Sequence, residues 1–204
     1  ELIKIGVNED KILIIPNCSP YDKIKKIQKF KSRKKLTLLT IGRYAIKKKG
    51  FDLVEKITKR LNLISNFEWI IIGRNTTELY KNEFIIKNKN KFKIIEEIKN
   101  HDELYFPHTK LINYYKRSDV YVNLSRVEGC PIVLLDALSS NLPIVSFNTR
   151  GGDEIVIDKI NGFLVKNSEI KNFVNKILKT KKMKIKKNFN KIKKIIKKYD
   201  LFEN

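Results

Sequence analysis

The chain has 204 residues, of which 42% are hydrophobic, 10% aromatic and 32% charged, with a formal net charge of +22. That length fits one sizeable core plus a tail better than two complete domains. No apolar run approaches the roughly 18 residues a membrane-spanning helix needs, so none is expected. Cys18 and Cys130 lie far apart in sequence, and His101 and His108 are too few for a histidine-based site. No metal or other cofactor is therefore expected, and a reduced, cytoplasmic compartment fits.

Only seven of the 44 basic residues are Arg. Sequence-reading nucleic-acid binders rely on Arg for bidentate base contacts, so no specific nucleic-acid partner is expected. A non-specific basic nucleic-acid-binding module remains the main rival function. Abundant Lys, Ile and Asn, all with AT-rich codons, offer a compositional explanation for part of the charge. The excess is uneven, since thirteen Lys and no carboxylate lie between Lys171 and Lys198.

In chain order, apolar runs of strand length occur at Ile12–Ile15, Leu36–Ile41, Trp69–Ile72, Phe92–Ile95, Val120–Leu124, Ile144–Phe147 and Phe163–Val165. Several are apolar at nearly every position, the pattern of strands covered on both faces. Between them run helical stripes. Phe51, Val54, Ile57 and Leu61 form one, and Leu111, Tyr114 and Tyr115 another, while Pro131–Ser140 is short and nearly all apolar. Alternation of strand and helix predicts an α/β fold with a doubly wound parallel sheet over residues 1–169. A basic helical segment follows over 170–204, with Ile185, Phe189, Ile192, Ile196 and Tyr199 on one stripe. That stripe could pack on another domain, lie on an anionic membrane surface, or stay solvated. A chain opening on Glu1 rather than Met reads as part of something longer.

Ligands of such sheets bind outside the carboxyl ends of the strands. Four turns fall there. Gly42 ends one buried run and is followed by Arg43 and Lys49, which could converge on one anion such as phosphate. Gly73 ends the next, and Asn75 beside it can adopt a left-handed backbone in place of a second glycine. The third turn, Glu128-Gly129-Cys130-Pro131-Ile132, opens a helix whose first turn tolerates Pro131. Its Glu128 then stands among free helix amides, and Asp136, in an otherwise apolar helix, needs a partner. Read locally, Glu128 could equally be a helix cap and Asp136 a member of an internal ion pair. The fourth turn, Gly151-Gly152-Asp153-Glu154, can approach a ligand closely or be a plain solvent loop.

Taken together and in order, these motifs resemble the donor-binding, carboxyl-terminal half of family 4 glycosyltransferases, retaining enzymes of the two-domain GT-B fold. The resemblance runs from Ile14-Ile15-Pro16-Asn17 to Asn161-Gly162-Phe163-Leu164-Val165. It implies transfer of a hexose-type sugar from a nucleotide-diphosphate sugar to a glycan or lipid-linked acceptor in cell-surface glycan synthesis, with a non-catalytic nucleotide-binding domain of the same fold as the second alternative. Arg43 and Lys49 correspond to the cations that neutralise the donor diphosphate, without a metal. Glu128 and Asp136 correspond to the paired acids lying by the donor sugar and on the nucleotide ribose. Gly129, Cys130, Pro131 and Ile132 form the turn whose amides meet the donor, and Glu154 matches an acid after the family's glycine loop. Asp136 stands where the family has Glu, Cys18 where Gly is common after Pro-Asn, and Asn141 where Gly precedes Leu142-Pro143. The resemblance further implies an amino-terminal acceptor domain missing from this chain, and a cytoplasmic enzyme, peripheral at the inner membrane face if the basic helix meets lipid.

Overall fold

Residues 2–13, 17–19, 23–24, 35–98, 109–183 and 189–198 are described by the structure, a computed structural model. Strands β1 (Leu36–Ile41), β2 (Phe67–Ile72), β3 (Phe92–Ile95), β4 (Val120–Asn123), β5 (Ile144–Phe147) and β6 (Gly162–Val165) form one sheet. All pairings are parallel, in the order β3-β2-β1-β4-β5-β6. The Rossmann-like α/β architecture expected from the sequence is therefore present. β1 holds the centre, with Leu36 opposite Phe67 on one side and Leu38 opposite Val120 on the other.

Successive strand residues alternate between two cores, which is why the strand sequences carry no polar face. Leu38, Trp69, Ile71, Val122, Val145 and Phe147 point to one side, where helices α2 (Leu53–Asn62) and α7 (Ile170–Thr180) add Val54, Ile57, Leu61, Phe173 and Ile177. Leu39, Ile70, Ile72, Tyr121 and Ile144 point to the other. There α4 (Thr109–Arg117), α5 (Ile132–Ser139) and α8 (Phe189–Lys198) add Leu111, Tyr115, Leu134, Leu138, Ile192 and Ile196. Three short helices, α1 (Ile46–Lys49), α3 (Glu83–Lys87) and α6 (Gly152–Ile155), sit in connections.

One polar thread crosses the first core. The indole N–H of Trp69 donates to Thr40 Oγ1 at 3.0 Å, and that hydroxyl donates to the Val122 carbonyl at 2.7 Å. The three central strands β2, β1 and β4 are thus joined near their carboxyl ends by buried side-chain hydrogen bonds in addition to their ladders.

The first half of the expected first strand is not a strand. Ile12 and Leu13 are outside any strand because the Ile12 N–H closes a turn onto the Glu9 carbonyl at 2.9 Å, and Leu13 is exposed. Ile14 to Pro16 lie outside the described residues. β4 stops at Asn123, one residue early, where the Asn123 side chain accepts from the Ser125 N–H at 3.4 Å. Asn75 and Asn141 do adopt left-handed backbones, at φ 60° and 54°.

The lysine-rich end is more structural than its composition suggests. In α8, Ile192 and Ile196 are buried in the second core while Lys193, Lys194, Lys197 and Lys198 are exposed. Its apolar stripe is thereby used within this domain; Ile185 and Tyr199 lie outside the described residues. Truncating Ile192 or Ile196 to Ala is expected to lower the unfolding free energy by about 2–4 kcal/mol each, read by urea titration. A change near zero would show that α8 is not part of the cooperative unit.

Candidate functional site

The sheet order reverses between β1 and β4. Chains leaving these two neighbours turn in opposite directions, so a crevice opens at their carboxyl ends. Gly42 and Arg43 leave β1 on one side of it, and Leu124 to Glu128 leave β4 on the other. The crevice is bridged by one ion pair. Lys49 Nζ donates to Glu128 Oε1 at 2.6 Å, with side-chain exposures of 31% and 10%. A pair 79 residues apart in sequence therefore meets where the topology places a ligand.

Arg43, two residues after β1, is exposed and makes no ion pair among the described residues. With Glu128 already compensating Lys49, Arg43 is available for an incoming anion, as are the exposed Lys47, Lys48 and Arg74 at the same edge. A Cβ at Gly42 or Gly129 would meet nothing within 4 Å, so the backbone is open on both lips of the crevice. Gly73 follows β2 at the same edge. At φ 149°, a Cβ there would overlap the Gly42 carbonyl oxygen, so Gly73 is required by loop-on-loop packing.

Around α5 the geometry also differs from the sequence reading. Pro131 is the residue preceding the helix, at φ −77° and ψ 102°, and no side chain caps it. Glu128 is thus a partner of Lys49 and not a cap. Cys130 is half-buried, Pro131 buried, and Ile132 exposed at 39% on the first turn. Glu154, in α6, is turned outward and lies 3.5 Å from Lys198 of α8.

Asp136 is fully buried. Its Oδ1 accepts from the Ser19 hydroxyl at 2.8 Å, while Oδ2 has no hydrogen-bond partner among the described residues. No ion pair to it is found among the described residues, and burial pushes its pKa up to about 7 even though the Ser19 and Tyr115 hydroxyls partly counter that. Tyr115 stacks on Tyr121 at 5.9 Å. The Tyr121 hydroxyl donates to the Ile41 carbonyl at 3.0 Å and accepts the Ile41 N–H at 3.3 Å, fixing the end of β1 from below.

Several contributors escaped the sequence reading. Asn17 donates to the Cys130 carbonyl at 2.7 Å, and Ser19 reaches Asp136, so the segment 17–19 is strapped to the turn before α5. The signal available was adjacency to Pro16-Asn17; the contact spans 113 residues. Arg126 and Asp52, joined by two hydrogen bonds of 2.8 and 2.7 Å, were also missed, although Arg126 stands two residues before Glu128. Among the described residues no group of three His, Cys, Asp or Glu could hold a metal ion, and no helix is long and apolar enough to cross a membrane.

A parallel sheet in this order, with its cations and carboxylate gathered at the strand-order reversal, defines a Rossmann-like half of the GT-B type. The chain belongs to the family of glycosyl transferases group 1, whose model matches residues 22–199. It is 32% identical over 141 residues to an uncharacterised glycosyltransferase of Haemophilus influenzae, covering 68% of this chain but 37% of that relative. Its fold is similar to that of the lipopolysaccharide outer core galactosyltransferase WaaB in apo form. The TM-score is 0.72 at 17% identity, covering 99% of this chain and 55% of WaaB. It is also similar to the pneumococcal O-GlcNAc transferase GtfA in complex with UDP and GlcNAc, with a TM-score of 0.63 at 20% identity over 91% of this chain and 35% of GtfA. The chain thus spans about a third to a half of the length of these proteins.

The buried carboxyl makes stability depend on pH. Because the folded pKa of Asp136 lies above its ordinary 3.8, the folded state holds a proton that the unfolded chain releases first. This contribution is fully present below about pH 4 and is lost as pH rises towards 7. Asp136→Asn is therefore expected to gain stability relative to the wild type between pH 4 and 7. Parallel denaturation curves at pH 4, 5.5 and 7 check this, and a constant difference would mean that Asp136 is ionised in the fold.

Proposed function

We propose that this chain is the donor-binding domain of a retaining family 4 glycosyltransferase. It takes a nucleotide-diphosphate sugar and supports hexosyl transfer to a glycan or lipid-linked acceptor. The observation that carries this reading is the Lys49–Glu128 pair across the β1/β4 crevice, with Arg43 uncompensated beside it. In this reading the diphosphate lies against Arg43, Lys49 and the first amides of α5, where the helix end leaves N–H groups unsatisfied. Arg43 and Lys49 stabilise the charge that develops on the departing diphosphate, a role that fixed cations fill without reorganising. Glu128 stands by the donor sugar and sets the position of Lys49.

The ribose is assigned to Asp136, whose Oδ2 lacks a partner and whose Oδ1 is held by Ser19. Donor binding then requires the 17–19 strap to shift, with a ribose hydroxyl replacing the serine hydroxyl. The acceptor is assigned to the part of the protein that accounts for the remaining length of its relatives, so the 204 residues alone bind donor but transfer sugar poorly. UDP in the GtfA complex and lipopolysaccharide in the name of WaaB support a uridine donor and a surface-glycan acceptor. The exposed lysines of α8 add a surface suited to anionic lipid, by charge alone because Ile192 and Ile196 are already buried.

Thermal unfolding with UDP or GDP tests the reading. Ligand at about one hundred times Kd is expected to stabilise the chain by about 2.7 kcal/mol, and Arg43→Ala is expected to abolish most of this. The opposite pattern, no effect of either nucleotide together with salt-sensitive DNA or RNA binding that Arg43→Ala leaves intact, would establish the basic nucleic-acid module instead.

A further inference from the structure

The four residues of α1 carry Lys49, yet a helix of that length has no stability of its own in water. Its last carbonyls are also among those a helix end leaves without internal partners. The Ile46 carbonyl accepts the Gly50 N–H at 3.1 Å, and one residue outside α1 supplies two further donors. The Arg126 backbone N–H donates to the Lys48 carbonyl at 2.8 Å, and Arg126 Nη1 donates to the Ile46 carbonyl at 2.8 Å. The same guanidinium grips both oxygens of Asp52, just ahead of α2, at 2.8 and 2.7 Å. Arg126 therefore holds positions 46, 48 and 52 around Lys49, and two residues further on the same loop carries Glu128. Gly50 completes the arrangement: at φ 68° it turns the chain where a Cβ would overlap the Leu124 carbonyl, so α1 is pressed directly onto the end of β4.

We infer that Arg126 and Asp52 are positioning residues for the donor diphosphate, a bidentate clamp that fixes Lys49 relative to Glu128 across the crevice. Neither need touch the ligand. The inference rests on the diphosphate reading of the crevice, but its geometric part can be measured separately. A planar guanidinium that meets two carboxylate oxygens and a carbonyl at once cannot be replaced by the point charge of Lys.

The test is isothermal titration of the 204-residue chain with whichever of UDP and GDP binds, and with the matching nucleoside. Wild type, Asp52→Asn and Arg126→Lys are compared. Asp52→Asn is the decisive variant because positioning and simple electrostatics give opposite signs. Removing a carboxylate near an anion site tightens diphosphate binding if charge alone matters, whereas loss of the clamp weakens it. Positioning predicts about tenfold weaker diphosphate binding in both variants, with nucleoside binding unchanged. Unchanged or tighter diphosphate binding by Asp52→Asn overturns the inference, as does full affinity in Arg126→Lys. If wild type binds neither diphosphate, the functional reading fails by itself, and hydrogen exchange at the Lys49 and Gly50 amides decides the clamp. Those amides bond to the Ala45 carbonyl just ahead of α1 and to the Ile46 carbonyl within it. Their exchange rises in Asp52→Asn if the clamp holds α1, and unaltered exchange disproves it.

Discussion

The pairing of β1 with β4 is the constraint on which the rest of the molecule depends. Leu38 and Leu39 lie beside Val120 and Tyr121, so the middle of the sheet joins stretches of chain separated by β2, β3 and α4. Closing so long a loop costs conformational entropy that local contacts cannot offset. The seam is accordingly reinforced by the Thr40 hydroxyl on the Val122 carbonyl and by the Tyr121 hydroxyl on both backbone groups of Ile41. The threonine and the tyrosine act from opposite faces of the sheet. Once that seam is fixed, the loops after β1 and β4 have no choice but to face each other.

Lys49 and Glu128 meet because of this enforced proximity, and the crevice acquires its electrostatic character from a second pairing. Arg126 with Asp52 consumes one cation and one anion at the rim, and Lys49 with Glu128 consumes another of each, leaving Arg43 exposed. Lys47 and Lys48 of α1 are exposed there too and make no ion pair among the described residues, so a chain with net charge +22 keeps a positive rim at the reversal that these two pairings only partly offset.

The central strands were legible because burial on both faces removes polar residues from them, leaving runs such as Leu36–Ile41 and Ile144–Phe147 that few other environments produce. The glycine turns and the spacing of Arg43, Lys49 and Glu128 were legible as a pattern. What each group touches was not. Ser19 and Asp136 are 117 residues apart, and no local rule connects a serine in a loop to a carboxyl in an apolar helix. Ile12 and Leu13 departed from the strand pattern for the converse reason: apolar residues satisfy that pattern, but the preceding turn claims the Ile12 N–H. In α8 the abundance of lysine drew attention to charge, while the two isoleucines that anchor the helix carried the structural information.

The thread from Trp69 through Thr40 to Val122 has a practical meaning. The chain contains a single tryptophan, fully buried, whose indole N–H is tied to the last turn of backbone before Gly42. An indole's emission responds to loss of a hydrogen bond and to nearby charge. The protein therefore carries its own optical reporter at the seam, placed a few residues from the crevice on a rigid strand, so that movement of the β1 end can be followed without attaching any label.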